Sequence, residues 1–322
     1  MGSFVKNALV IKEGNYAKIE AINIKGFFMN KKQKLLLGAH MSIEGGLEKS
    51  IERGASIGCT TIQIFTKSNR QWRAKKITEK EAALFKDIQK KHSVFPVVAH
   101  CSYLVNLGSP NLEVQTKSTN ALAEELNRCN LLDIPYLVLH PGARLTSDAN
   151  DCVKAIAQNI DRAIALSTGK TMVLLETMAG QGSVIGATLE EIAQIRKLVK
   201  EKQRVGVCLD TCHVFAAGYD FTSKSTYKNF WENFDSTIGI KHLKVVHIND
   251  SKKELGSRVD RHETIGNGKI DIEGFKLLFN DERFFNIPKI LETPKTSIEE
   301  DRENMDYLEK LFSDKTRETY NL

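Results

Sequence analysis

Along this 322-residue chain, apolar runs end again and again on histidine or a carboxylate. LLLGAH closes on His40, PVVAH on His100, YLVLH on His140, MVLLE on Glu176, VGVCLD on Asp210, LKVVH on His247 and PKILE on Glu292. Any one of these alone reads as an ordinary structural or surface residue. His, Asp and Glu fill 48 of the 322 positions, so seven such endings among eight apolar runs lie far outside chance. If the ends converge, their carboxylates repel one another and are costly to bury unless cations lie between them. Imidazole and carboxylate without clustered thiolate is ligand chemistry for Zn, Mn or Fe.

Two further pairs extend the set. In CLDTCH, Asp210 and His213 are three apart across a strand-to-loop turn, and in SRVDRHETIGNG, Asp260 and His262 are separated by one residue. In extended chain that second spacing puts both side chains on one face, as chelation of a single ion requires. Nine ligands are expected: His100, His140, Glu176, Asp210, His213, His247, Asp260, His262 and Glu292. A zinc site takes three or four protein ligands, so nine suit two or three ions better than one. His40 is a candidate supporting residue. His92, after Lys90 and Lys91 in a helix tail, and His242, just before a strand, read as structural or solvated.

Such convergence needs a scaffold that brings strand ends together. Eight strands can be read at 35–40, 61–66, 96–101, 136–140, 171–176, 205–210, 243–248 and 288–292. Segments of helical period follow at 45–57, 78–92, 114–132, 150–166, 188–201, 226–238, 272–280 and 297–312. The strands are continuous Val/Ile/Leu runs, as in a parallel sheet covered on both faces. Eight β-then-α units in unbroken series predict an α/β fold, a (β/α)8 TIM barrel whose active face gathers the strand ends. A doubly wound sheet is disfavoured because G-A-H-M-S-I-E-G-G, after the first strand, lacks the dinucleotide fingerprint.

Composition is that of a globular protein, 41% hydrophobic and 27% charged. Its longest apolar runs, five or six residues, fall far short of the ~20 that span a bilayer, so no membrane association is expected. The net charge of +6 is concentrated in residues 1–34, whose seven Lys and two Glu give +5. The chain therefore divides into a basic N-terminal extension (1–34), read as a flexible leader, one catalytic barrel (35–315) and a C-terminal tail (316–322). Six cysteines without a C-x-x-C pair read as small buried hydrophobes in a reducing, intracellular compartment.

Over residues 35 to 312 the chain resembles the endonuclease IV family of apurinic/apyrimidinic endonucleases. The resemblance rests on GAHMSIEGG (38–46), FTKSNRQWR (65–73), HCSYLVNLG (100–108), LHPGA (139–143), ETMAGQG (176–182), CLDTCHVFAAGYD (208–220), HINDSK (247–252), GSRVDRHETIGNG (256–268) and ILET (290–293), in that order. It implies a trinuclear zinc cluster, in which His100, His140 and Glu176 hold one ion. Glu176 bridges to a second on Asp210, His247 and Glu292, and His213, Asp260 and His262 hold a third. Cys101 stands where the family usually has Asp, and Thr177 where it has Asn, changes expected to touch hydrogen bonds around the ligands.

The resemblance further implies double-stranded DNA with abasic sites as the partner, a monomer, and hydrolysis 5′ to the abasic sugar that leaves a 3′-hydroxyl and a 5′-deoxyribose phosphate. A 3′-phosphodiesterase side activity is implied as well. Glu176 and Glu292 are the catalytic candidates, supporting a hydroxide between ions. Arg70, Tyr103, Leu104, Asn106 and Arg261 are the DNA-contacting candidates, and an abasic nucleotide is cheap to extrude because it has no base pair to break. Trp72 could wedge into DNA or pack under its loop. A metal-dependent sugar isomerase or epimerase on the same barrel is the alternative; the Asp260–His262 pair and the Arg70–Arg73 loop weigh against it.

Overall fold

Eight short parallel strands form the centre of the computed structural model, which describes residues 33–322. They are Leu37–Ala39, Ile62–Phe65, Val97–His100, Tyr136–Leu139, Met172–Glu176, Val205–Asp210, Leu243–Ile248 and Lys289–Leu291, each inside an expected segment. The last strand pairs with the first, Ile290 opposite Gly38. First and second meet at a thinner seam, through the bridge His40–Gln63 and the bonds Thr60 N to Leu37 O (2.9 Å) and Met41 N to Gln63 O (2.8 Å). Gly38 is required there, since a Cβ would lie 1.7 Å from the Thr61 carbonyl oxygen. The result is a nearly closed barrel ringed by helices.

The pleat sorts side chains with a period of two. Val98, Val138, Leu174, Cys208, Val245 and Ile290, one from each of the third to eighth strands, fill the barrel interior as a separate apolar cluster. Two residues beyond each comes His100, His140, Glu176, Asp210, His247 or Glu292. The inward apolar layer and the polar endings are thus one side-chain column per strand. The opposite faces carry Leu37, Ile62, Ile64, Val97, Leu137, Val173, Val207 and Leu291 into the larger core beneath the helices. Capping boxes at Thr78, Thr188 and Ser223 start three of those helices.

The tail expected at 316–322 is instead largely helical. Asp314–Tyr320 is a helix capped by Ser313, and Tyr320 is buried, its ring beside Phe285 (5.2 Å) and its hydroxyl donating to Phe285 O (3.0 Å). A seven-residue helix has too short a periodic pattern to stand out in sequence. The basic extension lies, apart from its last two residues, outside the described residues. No helix among the described residues is long and apolar enough to cross a membrane.

Lys289 departs from the apolar pattern of the last strand. It is fully buried, and its Nζ donates to the carbonyls of Phe284 (2.7 Å) and Ile287 (3.1 Å). Burial pulls its pKa down to about 7, against the opposing pull of Asp281. The unfolded chain therefore binds more protons than the folded one between pH 7 and the ordinary lysine value, and stability gained from this residue rises with pH across that window. In urea unfolding from pH 7 to 9, wild-type stability should rise relative to Lys289→Met by about 1.4 kcal/mol per pH unit at most. A difference that stays flat would mean the buried ammonium does not titrate there.

Candidate metal centre

The nine expected ligands lie together where the strand columns end. Glu176, fully buried, is the hub. Its Oε2 is 3.1 Å from His100 Nε2 and 3.2 Å from His140 Nε2, while its Oε1 is 3.1 Å from His247 Nδ1 and 3.4 Å from His213 Nδ1. Glu292 Oε2 approaches the same His247 Nδ1 at 3.0 Å. Asp260 Oδ1 stands 3.2 Å from His213 Nε2 and 3.4 Å from His262 Nε2. Donor atoms close enough to share an ion fall into overlapping sets: His100, His140 and Glu176; Glu176, Asp210, His247 and Glu292; Asp210, His213 and His262; and Cys212, Asp260 and His262. The third expected set is thus spread over the last two.

Local structure explains several positions. Asp210 ends its strand and caps the helix Thr211–Ala217, its Oδ1 accepting from His213 N (2.9 Å). The expected loop after Asp210 is therefore a helix turn, and Oδ2 faces the centre, 3.8 Å from His247 Nδ1 and 3.7 Å from His262 Nε2, while also accepting from Asn249. His262 lies in the strand His262–Glu263, paired antiparallel with Asp250–Ser251. Asp250 anchors the loop that follows, accepting from the backbone N–H of Ser251, Gly266, Gly268 and Ile270 at 2.7 to 3.0 Å.

Most imidazoles are oriented from behind. His100 Nδ1 is 2.7 Å from Cys101 O, His213 Nδ1 is 2.8 Å from Thr177 O, and His262 Nδ1 is 3.1 Å from Glu292 O. A carbonyl accepts only from N–H, so the lone pair falls on Nε2, which faces the centre. The Cys101 and Thr177 departures therefore leave intact the two bonds to ligand histidines, which the backbone supplies. The Thr177 hydroxyl accepts from Asp210 N at 3.0 Å. His213 Nε2 and His262 Nε2 are buried without a hydrogen-bond partner, although Asp260 is near, an expensive arrangement unless each meets a cation.

Charge balance points the same way. Burial pushes Glu176 and Glu292 upward, but His247 and its imidazole neighbours outweigh it and hold both carboxylates well below the ordinary range. Burial likewise pushes His213 and His247 down. For His213, Asp210, Asp260 and Glu176 override it, and for His247, Cys208, Glu292 and Glu176 do, so both rings lie well above ordinary histidine. A cluster that holds protons on imidazole so firmly is one in which cations can replace those protons.

The sequence left out three contributors. Gln63 touches His247 and Glu292 from the second strand. Asn249 donates Nδ2 to Asp210 Oδ2 (2.6 Å) while its Oδ1 accepts from Glu292 N (2.9 Å). Cys212 brings one thiol to the edge of a cluster expected to be free of sulfur. His40, as a supporting residue, lies 3.7 Å from Glu292 Oε1.

The DNA-contacting candidates divide. Arg70 and Arg261 are exposed, and Tyr103 is 55% exposed with its ring 5.2 Å from those of both His100 and His140. Leu104 is half-buried. Asn106 differs, because its amide is used inside the protein: Nδ2 donates to Ala143 O (3.0 Å) and Oδ1 accepts from Gly108 N and Ala143 N. Trp72 packs against the core.

Residues 51–311 match the family model of the xylose isomerase-like TIM barrel. The probable endonuclease 4 of Chloroflexus aurantiacus is 47% identical over 276 residues, 85% of this chain and 97% of that protein. The crystal structure of endonuclease IV from Thermus thermophilus superposes with a TM-score of 0.76 at 36% identity, covering 85% of this chain and 98% of its own. A D-tagatose 3-epimerase-like protein, at 20% identity, 88% and 98% coverage and TM-score 0.64, shares the fold.

Proposed function

Because the chain belongs to the endonuclease IV family, we propose that it is a metal-dependent DNA-repair endonuclease that hydrolyses the phosphodiester 5′ to an abasic site, with three zinc ions as cofactor. The observation that carries the metal-dependent chemistry is the convergence of nine imidazole and carboxylate donors, two with buried unpartnered nitrogens, at the carboxyl ends of the strands. In this reading His100, His140 and Glu176 hold one ion, Glu176 with Asp210, His247 and Glu292 a second, and His213, Asp260 and His262 a third. Bound zinc acidifies water toward neutral pH and neutralises phosphoryl oxygens. The protein's own part is to hold those donors fixed, five of them buried and His140, Asp260, His262 and Glu292 partly open, with Glu176 and Glu292 as catalytic residues. All nine come from one chain, which supports a monomer, and six buried, unpaired cysteines suit a reducing, genome-bearing compartment.

DNA recognition falls to Arg70, Tyr103 and Leu104 at the mouth, with Arg261 beside Asp260. Filling the gap left by an extruded nucleotide replaces lost stacking. Purified, metal-loaded protein should nick a duplex with one abasic site, leave the undamaged duplex intact and leave an aldose unconverted. Isomerisation of the sugar without nicking would favour the epimerase reading instead. Alanine at Arg70, Tyr103 and Leu104 together should weaken abasic-duplex binding by roughly tenfold or more, about 1.4 kcal/mol upward, with zinc content unchanged. A parallel loss of zinc would make these residues supports of the metal centre.

A further inference from the structure

We infer that Gln63 is a positioning residue of the metal centre, fixing which ring nitrogen of His247 faces the donors and holding Glu292 beside it. The inference rests on the metal-centre reading above. Gln63 is fully buried at the inward position of the second strand, between Val98 of the third strand and the bridge partner His40 beside the first, at the level where the third to eighth strands place apolar residues. A buried amide there must be satisfied, and its partners are specific. Nε2 lies 2.5 Å from Glu292 Oε1 and 3.1 Å from His40 Nδ1, and Oε1 lies 2.8 Å from His247 Nε2.

An ionised carboxylate can only accept, so the NH2 end of Gln63 must face Glu292. Its carbonyl oxygen is then turned to His247 Nε2, which must carry hydrogen. The lone pair is thereby left to Nδ1, the nitrogen 3.0 Å from Glu292 Oε2, 3.1 Å from Glu176 Oε1 and 3.8 Å from Asp210 Oδ2. Once it carries no proton, that nitrogen aims a lone pair among three carboxylate oxygens, an arrangement that is repulsive without a cation between them and is a ligand with one. His100, His213 and His262 are turned the opposite way by backbone carbonyls. His247 thus needs its own device, and a side chain from a strand without a ligand provides it. Through Glu292, the same amide orients a second donor of the same ion.

Gln63→Met keeps the length but removes the hydrogen bonds to His247, Glu292 and His40, while Gln63→Glu keeps an acceptor for His247 and places a like charge against Glu292. Zinc affinity of the full chain, measured by chelator competition, should fall by 10- to 100-fold for one ion in Gln63→Met, the usual range for residues that orient ligands. The other ions should be retained, which also reports that the chain is folded. In 15N spectra of histidine-labelled protein, the His247 Nε2–H pattern should be lost in Gln63→Met and kept in Gln63→Glu. Zinc affinity within threefold of wild type, or an unchanged His247 pattern, in Gln63→Met would overturn the inference. Wild-type protein that binds no zinc would overturn the metal-centre reading and the inference with it, whereas unaltered binding in the variant sinks the inference alone.

Discussion

Replacing Glu176 by Gln should lower abasic-site cleavage by roughly three orders of magnitude or more while the chain stays folded. Gln matches Glu in shape, so the barrel interior is not reshaped. Function is lost because both carboxylate oxygens are in use: one meets His100 and His140 at 3.1 and 3.2 Å, the other His247 at 3.1 Å. An amide offers one accepting oxygen and no charge, so it cannot serve two ions or offset their positive charge. Each 1.36 kcal/mol of lost transition-state stabilisation is tenfold in rate, and metal catalysis supplies several. Single-turnover nicking with metal analysis on the same preparation is the measurement. Cleavage within tenfold of wild type would remove Glu176 from the hub position.

Chelation should have the second largest effect: cleavage disappears, returns on adding zinc, and the thermal midpoint falls by about 10 °C. A ligand present at 1,000 times its Kd contributes ≈ 4.1 kcal/mol, and at ≈ 2.1 cal/mol/K of unfolding entropy per residue 1 kcal/mol moves the midpoint of a domain of roughly 290 residues by about 1.6 °C, so one such ion is worth about 7 °C and a second brings the fall to about 10 °C or more. The effect should depend on pH with a definite sign. In the metal-free chain His213 and His247 are raised, so their contribution is complete below the ordinary histidine value and is lost as pH rises through their elevated values. Glu176 and Glu292 are depressed, so theirs is present above the ordinary carboxylate value and lost only as pH falls below it. The gap between metal-loaded and chelated melting curves should therefore widen from mildly acidic to alkaline pH. A constant gap would mean that cations and protons do not compete for these rings.

The barrel could be read from the chain because its rules are local and repeated. Each strand is a short apolar run, each helix shows a three-to-four spacing, and the inward column carries an apolar residue two places before its polar end, as in Val98 and His100 or Ile290 and Glu292. Residues whose meaning depends on a distant partner could not be read this way. Gln63 sits inside a strand, two positions before Phe65, and becomes informative only once the second strand faces His247 and Glu292 across the barrel. Asn249 and the carbonyls of Cys101 and Thr177 have their partners on other segments or on the backbone, and backbone leaves no trace in side-chain pattern. The short helix after Asp210 was hidden because its cap is a ligand, so one carboxylate carries two roles. Tyr320 was hidden by its place in a brief, polar segment.

The thin seam between the first and second strands has a topological consequence. Strands that close a barrel can be joined by a short connection or a very long one, and when the barrel forms from the unfolded chain the entropic cost of closing a pair grows with the logarithm of the chain between them. Leu37 and Thr60 across the seam are 23 positions apart. Leu37 and Lys289, in the pairing of the first strand with the last, are separated by an about elevenfold longer stretch, worth about 2 kcal/mol more in closure entropy. The fuller ladder thus lies where the chain gives least help in bringing its parts back together. The sparse one lies where a single helical excursion tethers both sides. In folding, the seam is then the cheap pairing to form, and the first-to-last ladder carries the larger entropic cost of closing the barrel.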